Sequence, residues 1–282
     1  MATLRVTDLN YPMEDLLIDK LDLMIKRMTG KNQNDNVLLV EGGEGDGKTN
    51  MSCCVGYYIA EKTGRHFSND SFYYQLNELV AAAKTSSEKI FVWDEPALDG
   101  LSDEWWKEAQ KNLIKLLMMA RKKKHFFIIN ITKFFKFPEY VVVDRSIGMI
   151  HVYSKGELTP GYFVYFKKKS KEQLYYSYKS RRRREYKKFY NFRGTFPWML
   201  PKIIDEAEYE RKKDEAIASI GEREKVGKDK KKLLTLQYQI SLLPLDKEKI
   251  AECFNISTRT IHRWKNIASK YKISLEKDEN DL

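Results

Sequence analysis

A glycine-rich stretch carries the residues best suited to chemistry in this chain. Residues 42–49 read GGEGDGKT and fit G-x-x-x-x-G-K-[ST], in which backbone N–H groups and a helix N-terminus bind an anion. Lys48 would neutralise the β and γ phosphates of a nucleotide, and the Thr49 hydroxyl would bind Mg²⁺. An ordinary glycine turn is the alternative, but a strand before the stretch and a helix after it favour phosphate binding. The predicted nucleotide-binding residues are Gly42, Gly43, Glu44, Gly45, Asp46, Gly47, Lys48, Thr49 and Asn50.

Two adjacent acids are placed to complete such a site. Asp94 and Glu95 follow the apolar run IFVW, and Asp94 comes forty-six residues after Lys48. An acid at the tip of a strand can hold the metal through water, and a second acid can polarise the attacking water. Acids are common in turns, so the pair is a weak signal without the upstream phosphate-binding pattern. We expect Asp94 to serve the metal and Glu95 to act as general base.

A third apolar run ends in polar residues. Residues 126–132 read FFIINIT, so Asn130 and Thr132 lie on one face of a predicted strand. A buried polar side chain costs free energy unless it is paired. We therefore expect the two residues to sense the γ-phosphate. The alternative is that they mark the point where the strand leaves the core.

The elements that position these residues alternate between apolar strands and helices. This alternation predicts an α/β fold with a mainly parallel sheet and helices on its faces, and the phosphate-binding pattern at 42–49 predicts that it is of the P-loop NTPase type. The predicted strands are 36–40, 90–93, 126–132, 149–153 and 162–166, and the predicted helices are 12–28, 48–63, 73–84 and 103–123.

The order of these segments resembles the core of the HerA/FtsK superfamily of DNA-pumping ATPases, including its zonula-occludens-toxin-like and viral packaging branches. The resemblance covers residues 35–155 and rests on the phosphate loop, the hydrophobic-Asp-Glu segment, the helix ending in MMARKKKH and the strand FFIINITK. In that superfamily the strand ends in Thr-Gln. Here Thr132 matches and Lys133 replaces the Gln, which leaves Lys133 or Asn130 as the γ-phosphate sensor. The resemblance implies a ring, usually a hexamer.

Two arginines are candidates for a residue that acts across the subunit interface of such a ring. A guanidinium from a neighbouring subunit stabilises the transferring phosphoryl group. Arg121 matches the Arg that the superfamily carries between helix and strand, although a cation at a helix C-terminus also interacts with the helix dipole. Arg145 resembles the finger of AAA+ ATPases in its placement. The sequence does not favour one over the other.

Most of the net charge of +11 lies in one segment. Residues 161–193, here termed the basic arm, hold twelve Lys and Arg, two Glu and eleven aromatic residues, a net charge of +10. Cations contact phosphates and rings stack on bases, so the arm predicts a DNA-binding surface. The alternatives are core aromatics on a late strand, and a solvated face or inter-subunit patch formed by the cations. The expected phosphate contacts are Arg181, Arg182, Arg183 and Arg184.

Residues 247–266, KEKIAECFNISTRTIHRWKN, have the pattern of a helix-turn-helix. Ala251 is the small residue where the helices cross, Asn255 tolerates the left-handed turn, and Ser257 or Thr258 would cap the second helix. The segment resembles the helix-turn-helix of resolvases, transposases and small regulators, and a hairpin for protein contacts is the alternative. The expected apolar anchors are Ile250, Phe254, Ile256, Ile261 and Trp264. The expected DNA contacts are Thr258, Arg259, Thr260, His262, Arg263 and Lys265.

Length and composition limit the class of protein. The 282 residues, of which 42% are apolar, suffice for one core and a small second domain. Apolar runs are far shorter than the roughly 20 residues that span a bilayer, and the first residues lack a signal-peptide pattern. We expect a cytoplasmic protein, in the host cytoplasm if it is viral. The cysteines fit neither a disulfide framework nor a metal site, so we expect apolar packing of Cys53, Cys54 and Cys253.

The charged composition after Pro201 divides the chain. The expected parts are an N-terminal helical segment (1–34), an ATPase domain that includes the basic arm (35–200), a charged linker (201–232), a small all-α helix-turn-helix domain (233–275) and a polar tail (276–282).

These patterns together predict an oligomeric Mg-ATP-dependent ATPase that acts on DNA and is recruited to DNA by its helix-turn-helix. The resemblance implies DNA translocation, packaging, transfer or replication in a virus or mobile element. One alternative is an AAA+ replication initiator or helicase loader, with Arg145 as the finger. Another is a transcription regulator in which ATP controls oligomerisation.

Overall fold

The computed structural model describes residues 4–6, 12–30, 34–94, 103–155, 159–197, 200–201, 203–216, 237 and 246–270. They fall into two compact units, Met1–Ala216 and Ile217–Leu282. The first unit extends past the domain end predicted at residue 200. Within the described ranges, no helix is both long and apolar enough to cross a bilayer.

A seven-stranded sheet forms the framework of the first unit. The described strands are β1 (Leu4–Val6), β2 (Pro12–Glu14), β3 (Asn36–Glu41), β4 (Phe72–Tyr73), β5 (Ile90–Asp94), β6 (Phe126–Ile131), β7 (Gly148–Lys155), β8 (Thr159–Lys167) and β9 (Phe192–Thr195). The order in the large sheet is β4-β5-β6-β3-β7-β8-β9. The first five strands in this order (β4, β5, β6, β3 and β7) are parallel to one another. β8 and β9 are antiparallel additions. The predicted α/β fold with a mainly parallel sheet is thus confirmed.

Helices cover both faces of this sheet. The described helices are α1 (Asp15–Thr29), α2 (Lys48–Thr63), α3 (Leu76–Thr85), α4 (Asp103–Met119), α5 (Lys168–Arg181), α6 (Tyr186–Phe189), α7 (described over 206–216), α8 (Lys247–Cys253) and α9 (Thr258–Lys270). The predicted helices are observed with shifts at their ends. The sequence patterns did not indicate the short strands β4 and β9 at the two edges of the sheet.

Burial on both faces explains why the central strands are continuous apolar runs. Along β3, Leu38 and Val40 pack with residues of α1 and α2, whereas Val37 and Leu39 pack with residues of α3, α4 and α5. The period of two along the strand therefore divides the core into two layers. α2 lies between α1 and the sheet, so its residues are buried on most sides.

The position of β6 determines where the chemistry can take place. β6 lies between β3 and β5, as predicted for a third strand next to the other two. Val40 pairs with Asn130, and Asn130 pairs with Asp94. Because all three strands are parallel, their carboxyl ends meet at one edge of the sheet, where ligands bind in open α/β folds.

The cysteines differ in their surroundings. Cys53 and Cys54 are buried in α2, as predicted, and burial raises the pKa of the Cys53 thiol. Cys253 is exposed at the end of α8, so the prediction that it packs in a core is wrong. Among the described residues, no group of three His, Cys, Asp or Glu could hold a metal ion.

A buried histidine joins the start of β6 to neighbouring segments. The Nδ1 atom of His125 accepts a hydrogen bond from the Lys89 N–H at 3.1 Å, and its Nε2 lies 3.1 Å from the Ala83 carbonyl oxygen. These two partners require a neutral imidazole with its proton on Nε2. Burial lowers the pKa of His125 to about 4, and the hydrogen bond to Ala83 opposes this shift.

Protonation of His125 should destabilise the first unit in acid. The folded-state pKa of about 4 lies below the unfolded value of 6.5, so the unfolded chain binds more protons between these values. Stability is therefore lost as the pH falls from 6.5 to 4, by roughly 3 kcal/mol. We expect His125→Gln to reduce the pH dependence of the unfolding free energy by that amount, measured with urea between pH 7 and 4. An unchanged pH dependence would contradict the neutral, buried imidazole.

Candidate functional site

The glycine-rich stretch joins β3 to α2 in a conformation that suits phosphate binding. Gly45 and Gly47 have φ angles of 77° and 91°, which residues with a side chain rarely adopt. Gly42 also has no room for a side chain, because a Cβ atom there would lie 2.6 Å from Cγ2 of Val152. α2 begins at Lys48, directly after the loop. The N-terminus of α2, the positive end of the helix dipole, therefore lies next to the loop.

The loop binds one of its own acids. The Asp46 carboxylate accepts hydrogen bonds from the Gly43 N–H at 2.7 Å and from the Ser154 hydroxyl at 2.8 Å. A backbone N–H that holds a carboxylate is also suited to a phosphate oxygen, since both are anionic acceptors. A bound phosphate would take over the Gly43 N–H from Asp46.

Lys48 lies against the same loop. Its ammonium group donates to the carbonyl oxygens of Gly43 at 2.6 Å and Gly42 at 3.2 Å. Burial lowers the pKa of Lys48, and nearby acids, foremost Asp94 and Asp46, oppose that shift. The ammonium is thus partly withdrawn from water, which strengthens its attraction to a phosphate.

The Asp94 carboxylate is the centre of a hydrogen-bond network at the end of β5. Its Oδ2 accepts from the hydroxyls of Thr49 at 3.1 Å and Tyr209 at 2.6 Å, and its Oδ1 accepts from the Asn130 amide at 2.9 Å. The Ser52 hydroxyl donates to the Asn130 oxygen at 2.5 Å. The structure thus brings Thr49 and Asp94 together, as the predicted metal site requires.

These two side chains fit a magnesium ion. The Thr49 hydroxyl and the Asp94 carboxylate are oxygen donors 3.1 Å apart, next to the phosphate loop. Mg²⁺ in proteins is bound through one or two carboxylates together with waters and substrate phosphates. When bound here, the ion would neutralise charge on the phosphates.

The polar end of β6 contacts the acid of the site. The Asn130 amide donates to Asp94 and its oxygen accepts from Ser52, so Asn130 positions Asp94, and its role as a γ-phosphate sensor stays a prediction. Thr132 and Lys133 follow β6 at the same edge and are half-buried. Their contact with a γ-phosphate stays a prediction.

The structure describes two of the three remaining predicted site residues, Glu44 and Asn50, but not Glu95. Glu44 is exposed in the loop, and Asn50 is half-buried in the first turn of α2. The predicted general base, Glu95, lies outside the described residues. Its role stays a prediction.

Sequence reasoning missed Tyr209, because it assigned residues 201–232 to a linker. In the structure the Tyr209 hydroxyl lies 2.6 Å from Asp94 Oδ2 and 3.3 Å from the Thr49 hydroxyl oxygen. Tyr209 is only 4% exposed, and burial, followed by the charge of Asp94, raises its pKa. The available signal was one aromatic residue in the charged stretch EAEYERKKDEA.

The two candidate finger arginines have different environments. Arg145 is buried, forms an ion pair with Asp35 and donates to the Leu117 carbonyl at 2.9 Å. Its guanidinium is bound within its own chain, so the structure contradicts its predicted role as a finger. Arg121 is exposed in the turn Ala120–Lys123 after α4. It remains the candidate for a contact across an interface.

A second cluster connects the basic arm to the strand that carries the phosphate loop. Glu41, the last residue of β3, hydrogen-bonds to Nδ1 of His151 and accepts from the Tyr186 hydroxyl at 2.9 Å. The rings of Tyr186 and His151 stack with centroids 4.1 Å apart. Burial, and then Glu41, raises the pKa of Tyr186. Since the loop begins at Gly42, Tyr186 of the arm contacts the residue that directly precedes the loop.

The basic arm has a buried and an exposed part. The four predicted guanidinium groups at 181–184 are exposed, and Tyr176 and Tyr190 are 43% and 37% exposed. The prediction of base stacking fails for four aromatic residues that are buried in the core: Phe163, Tyr165, Phe166 and Tyr175. The exposed surface of the arm is thus mainly cationic.

A cleft of about 610 Å³ lies along α5 and α6 in this arm. Lys169, Arg181 and Lys188 outnumber the one acid, Glu172, in its lining, and Tyr176 and Phe189 give it aromatic surface. Cations next to accessible rings suit a phosphate beside a base.

In the described part of the second unit, α8 and α9 are joined by a tight turn. Asn255 has a φ angle of 49°, and the Ser257 hydroxyl accepts from the Thr260 N–H at 3.2 Å, which agrees with the predicted turn and cap. Phe254 is 45% exposed, so it is not the buried anchor that was predicted. Ile250 and Ile261 are buried. Of the predicted DNA contacts, the exposed side chains are Thr258, Arg259, His262 and Arg263, and the half-buried ones are Thr260 and Lys265.

The chain has little similarity to known proteins. No known protein family matches it, and no curated protein does. Among solved structures, the DnaC helicase loader is similar at 17% identity over 42% of this chain and 71% of that chain, with a TM-score of 0.29. A likeness of this extent identifies neither a family nor a function.

Loss of the Arg145 guanidinium should destabilise the first unit strongly. Arg145→Ala leaves Asp35 buried without its cation, and breaking such a pair costs about 3 to 5 kcal/mol. We expect a loss of that size in the free energy of unfolding at pH 7, measured with urea. Arg121→Ala is the matched control, because an exposed arginine should change stability by less than about 0.5 kcal/mol. Small, equal losses in both variants would show that the buried pair is unimportant.

Proposed function

We propose that the chain is an oligomeric, Mg-ATP-dependent ATPase that acts on DNA. The observation that carries the proposal is the convergence of the phosphate loop, Lys48, Thr49 and Asp94 at one edge of the sheet. Lys48 binds the β and γ phosphates, and Thr49 and Asp94 hold Mg²⁺. Asn130 keeps the Asp94 carboxylate in place.

Hydrolysis then requires two residues whose roles come from the sequence. Glu95 polarises the attacking water as general base. Arg121 reaches the site of a neighbouring subunit in a ring, where its guanidinium stabilises the charge on the transferring phosphoryl group. The exposure of Arg121 supports this assignment.

Two surfaces support DNA as the partner. The guanidinium groups at 181–184 and the cleft along α5 and α6 form a cationic surface on the first unit. In the second unit, α9 presents Arg259, His262 and Arg263 to solvent after a tight turn, which suits a recognition helix in the major groove. The Tyr186–Glu41 contact gives DNA on the arm a physical connection to the nucleotide site.

The process that the ATPase serves is proposed from the sequence resemblance alone. It is DNA translocation, packaging, transfer or replication in a virus or mobile element, carried out by a ring of subunits. A transcription regulator controlled by ATP is the second candidate. The contact of Tyr209 with Asp94 favours it, because α7, the last described segment before the second unit, contacts the proposed metal site. Directional displacement of a triplex strand from duplex DNA would distinguish motion from static binding.

ATP hydrolysis by the full chain tests the proposed site. Lys48→Ala removes the cation that faces the phosphates, so we expect at least a ~100-fold loss of kcat/KM, measured as phosphate release with Mg²⁺ and duplex DNA. Lys115→Ala is the matched control, since Lys115 is exposed on α4, and it should hydrolyse ATP at the wild-type rate. Equal activity of Lys48→Ala and wild type would refute the assignment.

The salt dependence of duplex DNA binding tests the cationic surface. Arg183→Ala/Arg184→Ala removes two exposed cations, and each lost phosphate contact should reduce the slope of log K against log salt by about 0.9. We expect a decrease of about 2, measured by fluorescence anisotropy. The control Lys111→Ala/Lys115→Ala removes two exposed cations from α4 and should keep the wild-type slope. The same slope in all three proteins would place the DNA elsewhere.

A further inference from the structure

The Tyr209 hydroxyl lies where the proposed metal site needs free oxygen atoms. It contacts both side chains that would hold Mg²⁺, at 2.6 Å from Asp94 Oδ2 and 3.3 Å from the Thr49 oxygen. A phenol can donate one hydrogen bond, and the Tyr209 hydroxyl donates it to Asp94 Oδ2 at 2.6 Å. The same Oδ2 also accepts from Thr49 at 3.1 Å. These two hydrogen bonds use both lone pairs of Oδ2, so a metal ion or bound water that uses this oxygen competes with Tyr209.

The segment that carries Tyr209 contacts the rest of the first unit through both polar and apolar groups, and the Tyr74 ring lies 6.1 Å from the Tyr209 ring. Asn69 exchanges two hydrogen bonds with the Asp205 backbone, at 2.7 Å and 3.0 Å, and Lys212 pairs with Asp70 at 2.7 Å. The Tyr209 ring packs edge-on against Phe72, with centroids 5.4 Å apart. The buried apolar residues of the described segment 203–216 are Ile204, Tyr209 and Ala216.

This distribution makes Tyr209 the central anchor of α7. A helix with so little buried apolar surface belongs to the part of a fold that opens at low free energy. The Lys212–Asp70 ion pair, whose Asp70 side chain is exposed, contributes little to holding it. Loss of the Asp94–Tyr209 hydrogen bond would therefore remove the buried polar contact of α7 and leave the packing of the Tyr209 ring against Phe72 and Tyr74.

We propose that Tyr209 is a latch, in which its hydroxyl competes with Mg-nucleotide for Asp94 and Thr49, so that Mg-nucleotide binding releases α7 from the rest of the first unit. The proposal rests on the proposed function, because that function supplies the metal. α7 is the last described segment of the first unit, which ends at Ala216. By linkage, whatever holds α7 in place weakens Mg-nucleotide binding to the same extent.

The affinity of the full chain for ATPγS, a slowly hydrolysed ATP analogue, tests the competition. Tyr209→Phe keeps the ring but removes the hydroxyl. In the presence of Mg²⁺ we expect this variant to bind ATPγS about 3- to 10-fold more tightly than wild type does. Without Mg²⁺ the two proteins should bind ATPγS equally well. The matched control is Tyr58→Phe, whose hydroxyl donates to Asp22 at 2.6 Å and which should bind like wild type. Unchanged or weaker Mg-dependent binding by Tyr209→Phe would overturn the latch.

Hydrogen–deuterium exchange of the wild-type chain tests the release itself. The Tyr209 N–H donates to the Asp205 carbonyl at 2.9 Å and should be protected without nucleotide. We expect amides of 206–216 to exchange at least about tenfold faster with saturating Mg-ATPγS. Unchanged or greater protection with bound nucleotide would overturn the latch while leaving the ATPase intact. Failure of the wild-type chain to bind Mg-ATPγS at all would instead refute the proposed function.

Discussion

A partly buried carboxylate must receive hydrogen bonds or a cation, and the rest of the site depends on how Asp94 meets this constraint. Its oxygens accept from Thr49, Asn130 and Tyr209, which come from α2, β6 and α7. Each of these elements therefore brings one side chain to Asp94 at the end of β5. The parallel pairing of β5, β6 and β3 brings the same point close to the phosphate loop. The electrostatics of the site follow from this geometry.

The sequence patterns predicted the parts of the structure that depend on short-range physics. Apolar runs predicted the central strands because both faces of the sheet are buried. Glycines at 45 and 47 indicated the loop because its backbone has positive φ angles there, which glycine adopts readily. The spacing of Asp94 after an apolar strand located the acid of the site. These features depend on a few neighbouring residues, so they can be recognised without knowledge of the fold.

The errors concern residues whose roles depend on distant partners. Arg145 was a candidate finger because of its placement in the sequence, but Asp35, 110 residues away, pairs with it in the interior. Tyr209 lies in a charged stretch, and only the fold shows that its hydroxyl reaches Asp94. The aromatic residues of the basic arm indicated base stacking, yet four are core residues of β8 and α5. Composition alone does not distinguish a ring in the core from one on the surface.

Two tyrosine hydroxyls contact acids next to the phosphate loop. Tyr186 of the arm contacts Glu41, which precedes the loop, and Tyr209 contacts Asp94, which accepts a hydrogen bond from Thr49 at the end of the loop. Both hydroxyls belong to segments beyond the central parallel strands. A ligand that displaces Glu41 or Asp94 would therefore act on the basic arm in the first case and on α7 in the second.

Calorimetric titration of the full chain with ATP, in Mg²⁺ and in EDTA, tests the central claim most directly. The geometry of Lys48, Thr49 and Asp94 predicts saturable binding of one nucleotide per chain that is tighter with Mg²⁺, and loss of the Mg²⁺ effect in Asp94→Ala. The absence of saturable binding in wild type, or an identical Mg²⁺ effect in Asp94→Ala, would contradict the account.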